Sequence, residues 1–234
     1  MRHFFLCLAV SILSLRAFGE EPNTITEAEK IDGWKLLFDG QSTEGWLGLG
    51  GKPFPEKGWS VVDGTLHHAK GGGGGDIVTA EAFEDFELTW EWKIGEGGNS
   101  GLKYNLPEPE KGVGFEYQLL DDLKHPDAKL HDGTRTTASL YDVLGARADK
   151  KLNPAGEWNS SRIVVKGNHI EHWLNGVKTV EFEMGSEALT KAIAASKFKG
   201  NAAFGVKAKS PFLLQDHGDE ISLRALKIRV AAAQ

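Results

Sequence analysis

The densest set of proton-moving groups lies in Gly114-Phe115-Glu116-Tyr117-Gln118-Leu119-Leu120-Asp121-Asp122-Leu123-Lys124-His125. Glu116 and Gln118 are two residues apart, so a strand would aim both at one face. Asp121 and His125 then leave the strand end in a loop, the usual carrier of functional side chains. A carboxylate, an amide and an imidazole around one concavity suit general acid–base chemistry on a polyhydroxylated substrate. The same spacing also fits a solvated strand face followed by an acidic loop. Gly97-Gly98-Asn99-Ser100-Gly101 opens a second strand that carries Lys103 and Tyr104. Its glycines would let backbone approach a ligand, and Asn99 offers hydroxyls both a donor and an acceptor. A third cluster, Gln215-Asp216-His217-Gly218, follows the apolar Phe212-Leu213-Leu214 and adds another imidazole.

Other chemistries are disfavoured. His125, Asp127, His131 and Asp132 are close in sequence but match no strong ligand pattern such as His-Glu-x-x-His, which leaves only an oxygen-rich divalent metal ion site open. No Lys-Ser or Lys-Thr follows the five glycines Gly71 to Gly75, so these form no phosphate loop and read as a flexible hairpin tip or mobile rim loop. No Gly-x-Ser-x-Gly elbow is present. The charged run Arg147 to Lys151 reads as a solvated loop.

The elements that must hold these groups are short strands. Phe86 to Ile94 alternates apolar and polar residues without a break, the pattern of a strand with one face on a core. Asn175-Gly176 and Asp63-Gly64 each separate two strand-like runs and supply the positive φ angles of a tight hairpin. Further strands are expected over Trp34 to Phe38, Asp76 to Thr79, Ser100 to Asn105, Phe115 to Leu120, Ser139 to Val143, Ser161 to Lys166, Ala202 to Ala208 and Ile221 to Val230. In the last of these the apolar phase changes near Ala225, as a bulge would cause. One helix is expected from Ser186 to Lys199, with Ser186 as its cap and Gly200 as its stop. This density of strands predicts an all-β, two-sheet antiparallel sandwich with one short helix.

Residues 1–19 have a basic start at Arg2, an apolar run from Phe4 to Leu15 and a small-residue exit, the pattern of a cleaved signal peptide. The expected location is therefore exported, periplasmic or secreted. The apolar run falls short of the roughly 20 residues that span a bilayer. The sole cysteine, Cys7, lies inside this leader, so the mature chain would have no thiol chemistry. Removing the leader takes away Arg2 and Arg16 and no acid, making the overall charge of −6 two units more negative. A nucleic acid is a poor partner for such a surface. Residues 20–30 read as a disordered lead-in and 31–231 as one domain. Seven tryptophans leave aromatics for stacking on sugar rings.

Taken in order, GWKLLFDG followed by Gly45-Trp46, then GGNSGLKY, GFEYQLLDD, KHPDAK, SLYDVL, GEWNSSRIVVKGNHIEHWLNG and LLQDHGDEISLRALKIR resemble the 3-keto-disaccharide hydrolase family over about residues 33–230. Many members have Arg shortly after the Asn-Ser-Gly motif, where this chain has Lys103-Tyr104-Asn105. The resemblance implies a concanavalin-like jelly-roll sandwich acting on a glycoside whose carbon-3 hydroxyl has been oxidised to a ketone by a separate dehydrogenase. The ketone acidifies the proton on carbon 2, so cleavage can run by proton abstraction, elimination and hydration. On matching positions it implies acid–base or metal-ligand roles for Glu116 and His217, a second pair in Asp121 and His125 at the pocket edge, and enolate stabilisation by Lys103. Asn99, Gln118, Tyr141 and Gln215 would orient the sugar, and Trp46 would stack on it. No organic cofactor is implied. The alternative from another class is a non-catalytic carbohydrate-binding module, since fold alone does not settle function.

Overall fold

The computed structural model describes residues 21–230. In chain order the elements are α1 (Glu27–Ile31), β1 (Trp34–Leu36), β2 (Trp46–Gly48), β3 (Trp59–Val62), β4 (Thr65–His68), β5 (Ile77–Thr79), β6 (Phe86–Ile94), β7 (Asn99–Glu108), β8 (Val113–Leu120), β9 (Asn159–Lys166), β10 (His169–Leu174), β11 (Val177–Glu183), α2 (Glu187–Ala195), β12 (Leu213–Leu214) and β13 (Ile221–Val230). The strands form two antiparallel sheets. One is eight-stranded, in the order β11-β10-β9-β6-β13-β4-β3 with β1 also on β13, and the other is five-stranded, in the order β2-β5-β12-β7-β8.

The alternation along β6 does what its sequence requires, burying Phe86, Leu88, Trp90, Trp92 and Ile94 while the residues between them are half-exposed. Facing them from the other sheet are Leu102, Tyr104, Phe115, Tyr117, Leu119 and Leu214. Each fully buried Leu or Phe of this layer contributes about 1.5–3 kcal/mol relative to exposure. Asp63-Gly64 and Asn175-Gly176 close the two expected hairpins with φ of 47° and 73°, and 46° and 78°. The bulge at Ala225, with φ of 51°, divides β13 into a half that pairs β4 and a half that pairs β1.

Several expectations are corrected. Residues 21–31 are ordered: Thr26 and Glu29 form a capping box for α1, Asn23 Oδ1 accepts from the bulge amide of Ala225 at 2.8 Å, and Glu29 pairs with Lys227. The polar composition that suggested disorder supplies caps and bulge contacts instead. Ser139 to Val143 is not a strand, because left-handed residues Ala138 and Asp142 interrupt it; it meets β8 through an isolated bridge between Leu140 and Tyr117. Ala202 to Ala208 is a chain of turns. The helix is shorter than expected, since Ser196 already has extended backbone. The glycine run is pinned rather than mobile. Gly71 N donates to Gly218 O, Gly75 N to Asp216 Oδ2, and a side chain on Gly58 would run into the Gly73 carbonyl. The expected signal peptide lies outside the described residues. Among the described residues no helix is long and apolar enough to cross a membrane.

Candidate active site

The outer face of the five-stranded sheet carries a small grid of side chains. Lys103 of β7 lies directly across from Glu116 of β8, and Gly101 lies across from Gln118. On the other side, Leu213 of β12 pairs with Lys103, and Gln215 N donates to Gly101 O. Gly101 is therefore the one position in this grid without a side chain. The Glu116 carboxylate leans into the gap, so that a methyl at residue 101 would sit 2.5 Å from its Oε1 and 2.9 Å from its Cδ. The space left there seats the Glu116 carboxylate, which lines a cavity of about 240 Å³. That is below the roughly 300–1,000 Å³ of sites for drug-sized ligands and suits a single sugar ring, with any second group outside.

Three loops close the cavity. The first carries His217. Its anchor is Asp216, whose carboxylate accepts from the amides of Gly75 and Gly218 and meets His68 Nε2 at 3.1 Å. Against a burial penalty, those two amides and the imidazole hold the Asp216 carboxyl below its ordinary range. The second loop carries Tyr141, whose amide donates to Glu116 O and whose hydroxyl donates to Asp127 Oδ2 at 2.7 Å. Burial, then that hydrogen bond, pushes the Tyr141 phenol up. The third, after α2, carries Lys197 and Phe198. Lys197 N donates to Asp142 Oδ2 at 2.7 Å, and Asp142 is itself held by Arg135 and faces His131.

Asn99, Lys103, Glu116, Gln118, Tyr141, Gln215 and His217 all line this one cavity. Glu116 is buried, and desolvation raises its carboxyl above the ordinary 4.5; Lys103, Lys197 and His217 pull it back in that order, while Asp76 adds to the rise. Lys103 Nζ is 3.9 Å from Glu116 Oε2 and donates to Gly112 O at 3.1 Å. The Gln118 amide is satisfied when its nitrogen donates to Glu116 Oε1 and Ser100 O, each at 3.1 Å. Gln215 Oε1 is buried and accepts no hydrogen bond. An orphaned buried acceptor on a cavity wall is an invitation to a ligand hydroxyl.

Three expected residues are elsewhere. Trp46 is buried at 3 % exposure in the core, with Nε1 donating to Leu37 O, and offers no face to a ligand. Strand alternation puts it on the inner side of the sheet, opposite Leu47, which packs with Val78 and Leu213. Asp121 is a turn residue. Its two oxygens accept from the amides of Gly97, Leu123 and Lys124, because the chain reverses directly after β8. His125 caps the following 3-10 turn, its Nδ1 accepting from Asp127 N. Neither lines the cavity. Lys197, Phe198 and Asp76 went unnoticed in the sequence. Lys197 and Phe198 fall just beyond a helix that looks decorative, and Asp76 follows the glycine run; only its contact with Asp216 N, at 2.9 Å, reveals its place. Desolvation raises the Asp76 carboxyl.

A divalent ion fits this cavity poorly. The ammonium of Lys103 borders Glu116, and among the described residues Glu116 and His217 join no third His or carboxylate ligand atom. Nor do His125, Asp127, His131 and Asp132 converge, since Asp127 is engaged by Arg135 and Tyr141. Among the described residues the one such triad is His169, Glu171 and Glu181, on β10 and β11 of the other sheet. Its centre already holds a cation, with Lys178 Nζ 3.0 Å from Glu171 and 2.7 Å from Glu181.

The fold is a concanavalin-like sandwich, and the cavity gathers ionisable side chains on the outer face of its smaller sheet. Residues 33–229 match the model of the 3-keto-alpha-glucoside-1,2-lyase-like domain, and the chain belongs to that family. It is 35 % identical over 230 residues to a 3-keto-disaccharide hydrolase of Bacteroides thetaiotaomicron, covering 85 % of this chain and 79 % of that one. A crystal structure of a candidate glycosyl hydrolase from Parabacteroides distasonis superposes with a TM-score of 0.82 at 34 % identity, covering 91 % of this chain and 100 % of that one. A second structure from the same organism gives 0.65 at 28 % identity, covering 84 % and 98 %.

Proposed function

We propose that this chain cleaves 3-keto-glycosides, with Glu116 and His217 as the proton-transfer pair. The observation that carries the reading is a buried carboxyl of raised pKa, bordered by Lys103 at 3.9 Å, in a cavity the size of one sugar ring. It agrees with the activity for which the Bacteroides relative is named.

A ketone at carbon 3 makes the carbon-2 proton removable. Glu116, once ionised, is a stronger base than an exposed glutamate, because desolvation raises its affinity for a proton. As it takes the proton, the C–H electrons become the carbon 2–carbon 3 enolate, whose oxygen needs a positive neighbour. Lys103 supplies that charge while its proton stays on Nζ rather than passing to the base. The enolate then re-forms the ketone, a double bond forms between carbons 1 and 2, and the bond to the leaving oxygen breaks. His217 gives that oxygen its proton. Water adds back, hydroxyl to carbon 1 and hydrogen to carbon 2. Asn99, Gln118 and Gln215 hold the ring hydroxyls, with Gln215 Oε1 accepting the hydrogen bond it lacks in the free protein. The ring of Tyr141 forms one wall, its hydroxyl being committed to Asp127. We place the protein outside the cytoplasm, as its leader implies.

The test is turnover of a chromogenic glucoside against its 3-keto derivative, each with and without chelator. Cleavage of the oxidised substrate alone, unaffected by chelator, is expected. Equal cleavage of both would assign a conventional glycosidase, and sugar binding without cleavage a lectin-like module.

A further inference from the structure

We propose that Lys197 acts covalently, its Nζ condensing with the carbon-3 ketone of the substrate to form an iminium that serves as the electron sink for carbon-2 deprotonation. The inference rests on the reading of the substrate as a 3-keto-glycoside.

The two lysines of the cavity differ in how they are held. Lys103 Nζ is tied to the protein, donating to Gly112 O and lying 3.9 Å from Glu116. Lys197 Nζ has no hydrogen-bonding or ion-pair partner among the described residues. It rests on aromatic carbon, 4.2 Å from the centre of the Tyr141 ring and 5.1 Å from that of Phe198. Its backbone is nonetheless fixed, through the bond from its amide to the buried Asp142. Lys197 is exposed at the cavity mouth. Ring contacts hold its ammonium less firmly than a carboxylate would, so an amine anchored there at its main chain and free of an ion pair can release its proton and meet a ketone in the cavity. Burial, the largest influence, lowers its basicity, and Arg135 and Lys103 add to that; Glu116 and Asp142 oppose it without reversing it. Lys103 thus plays the second cation that helps free the amine.

The steps balance. Nζ adds to carbon 3, and the ketone oxygen leaves as water, giving an iminium. Glu116 takes the carbon-2 proton while the C–H electrons form an enamine. Those electrons return to the iminium as the carbon 1–oxygen bond breaks, and the leaving oxygen gains a proton from His217. One water adds across carbons 1 and 2 and a second hydrolyses the iminium, freeing Lys197. The net consumption is one water, as in hydrolysis. In this form Lys103 holds the substrate in place and tunes Lys197, and the enolate oxygen does not arise.

The experiment is incubation of the full chain with a 3-keto-glucoside and sodium cyanoborohydride, which reduces iminium ions selectively, followed by peptide mass mapping. Turnover of the same substrate is measured in parallel. The expected result is a glycosyl-sized mass addition on the peptide carrying Lys197, with activity lost in proportion, and no addition from the unoxidised glucoside. Lys197→Arg, which keeps the charge but cannot form an imine, should lose turnover. Undiminished turnover with no adduct, or full activity in Lys197→Arg, overturns the covalent role and leaves the elimination reading standing. An adduct confined to Lys103 overturns the assignment to Lys197. Neither adduct nor turnover overturns the substrate reading and this inference with it.

Discussion

Between the sheets, Tyr104, Tyr117, Ser161, Trp92 and His172 are buried and make polar contacts, whereas the cavity on the outer face opens to solvent at His217 and Lys197. Each of those five buried side chains finds a protein partner, although the neighbouring Trp90 indole N–H has none among the described residues. Tyr104 Oη meets His172 Nε2 at 2.7 Å, Tyr117 Oη donates to Trp173 O and meets Ser161 Oγ, and Trp92 Nε1 donates to the same hydroxyl. Burial lowers the His172 imidazole to about 3, so it stays neutral and serves as an acceptor for Tyr104. In the cavity the accounts do not close. Among the described residues Gln215 Oε1 lacks a donor and Lys197 Nζ meets only aromatic rings, and Glu116 keeps a carboxyl that burial makes reluctant to ionise. The difference separates a network that fixes a fold from one that waits for a substrate. A fully satisfied polar cluster rigidifies its surroundings, whereas an unsatisfied one stores affinity for whatever completes it.

The contrast predicts opposite consequences for mutation in the two regions. The largest effect should come from Glu116→Gln and His217→Ala, each lowering turnover of a 3-keto-glucoside by about 10²–10⁴-fold, the usual worth of a positioned proton-transfer group, with the fold intact by circular dichroism. Next is Tyr104→Phe, which leaves His172 Nε2 without its donor. It should destabilise the protein by about 1–3 kcal/mol in denaturant melts and leave turnover of the folded fraction unchanged. A loss of activity with no loss of stability in that variant would erase the distinction between the regions. Gln215→Ala should act the other way, raising KM by roughly 2–10-fold, the worth of one net hydrogen bond, while stability holds or improves.

The smallest effect concerns pH. The folded protein holds the Glu116 proton more tightly than the unfolded chain, so this group favours folding at low pH and costs stability as pH rises from about 4.5 to the raised folded value. Glu116→Gln should therefore raise Tm at neutral pH, and the gain should vanish below pH 4.5. For the same reason the acid limb of kcat/KM should lie above the range of an ordinary glutamate.

Much of this was legible in the sequence because it depends on short-range geometry. Period-two alternation places Phe86 to Ile94 across the sheet, Asn-Gly and Asp-Gly set two hairpins, and the two-residue spacing of Glu116 and Gln118 puts both on the cavity face. Asp121 and His125 were misplaced because nearness in sequence ends where β8 ends. A reversal follows, and Asp121 is spent on satisfying it. Trp46 was misjudged because composition cannot say which side of a strand an aromatic faces. Lys197 and Asp76 were missed because only the packing of distant loops brings them to the site: one through Asp142, the other through Asp216. The glycine run looked mobile by composition, yet long-range hydrogen bonds from Gly71 and Gly75 tie it to the loop that carries His217.

The central claim, cleavage by carbon-2 proton abstraction, is tested most directly by isotope incorporation. A 3-keto-glucoside is turned over in D2O and the released sugar examined by NMR at carbon 2, after short times and with a non-enzymatic exchange control. The account predicts one solvent deuterium at carbon 2 per cleavage, fixed in configuration and absent from unreacted substrate incubated without protein. Cleaved product that retains its original hydrogen at carbon 2 would contradict it.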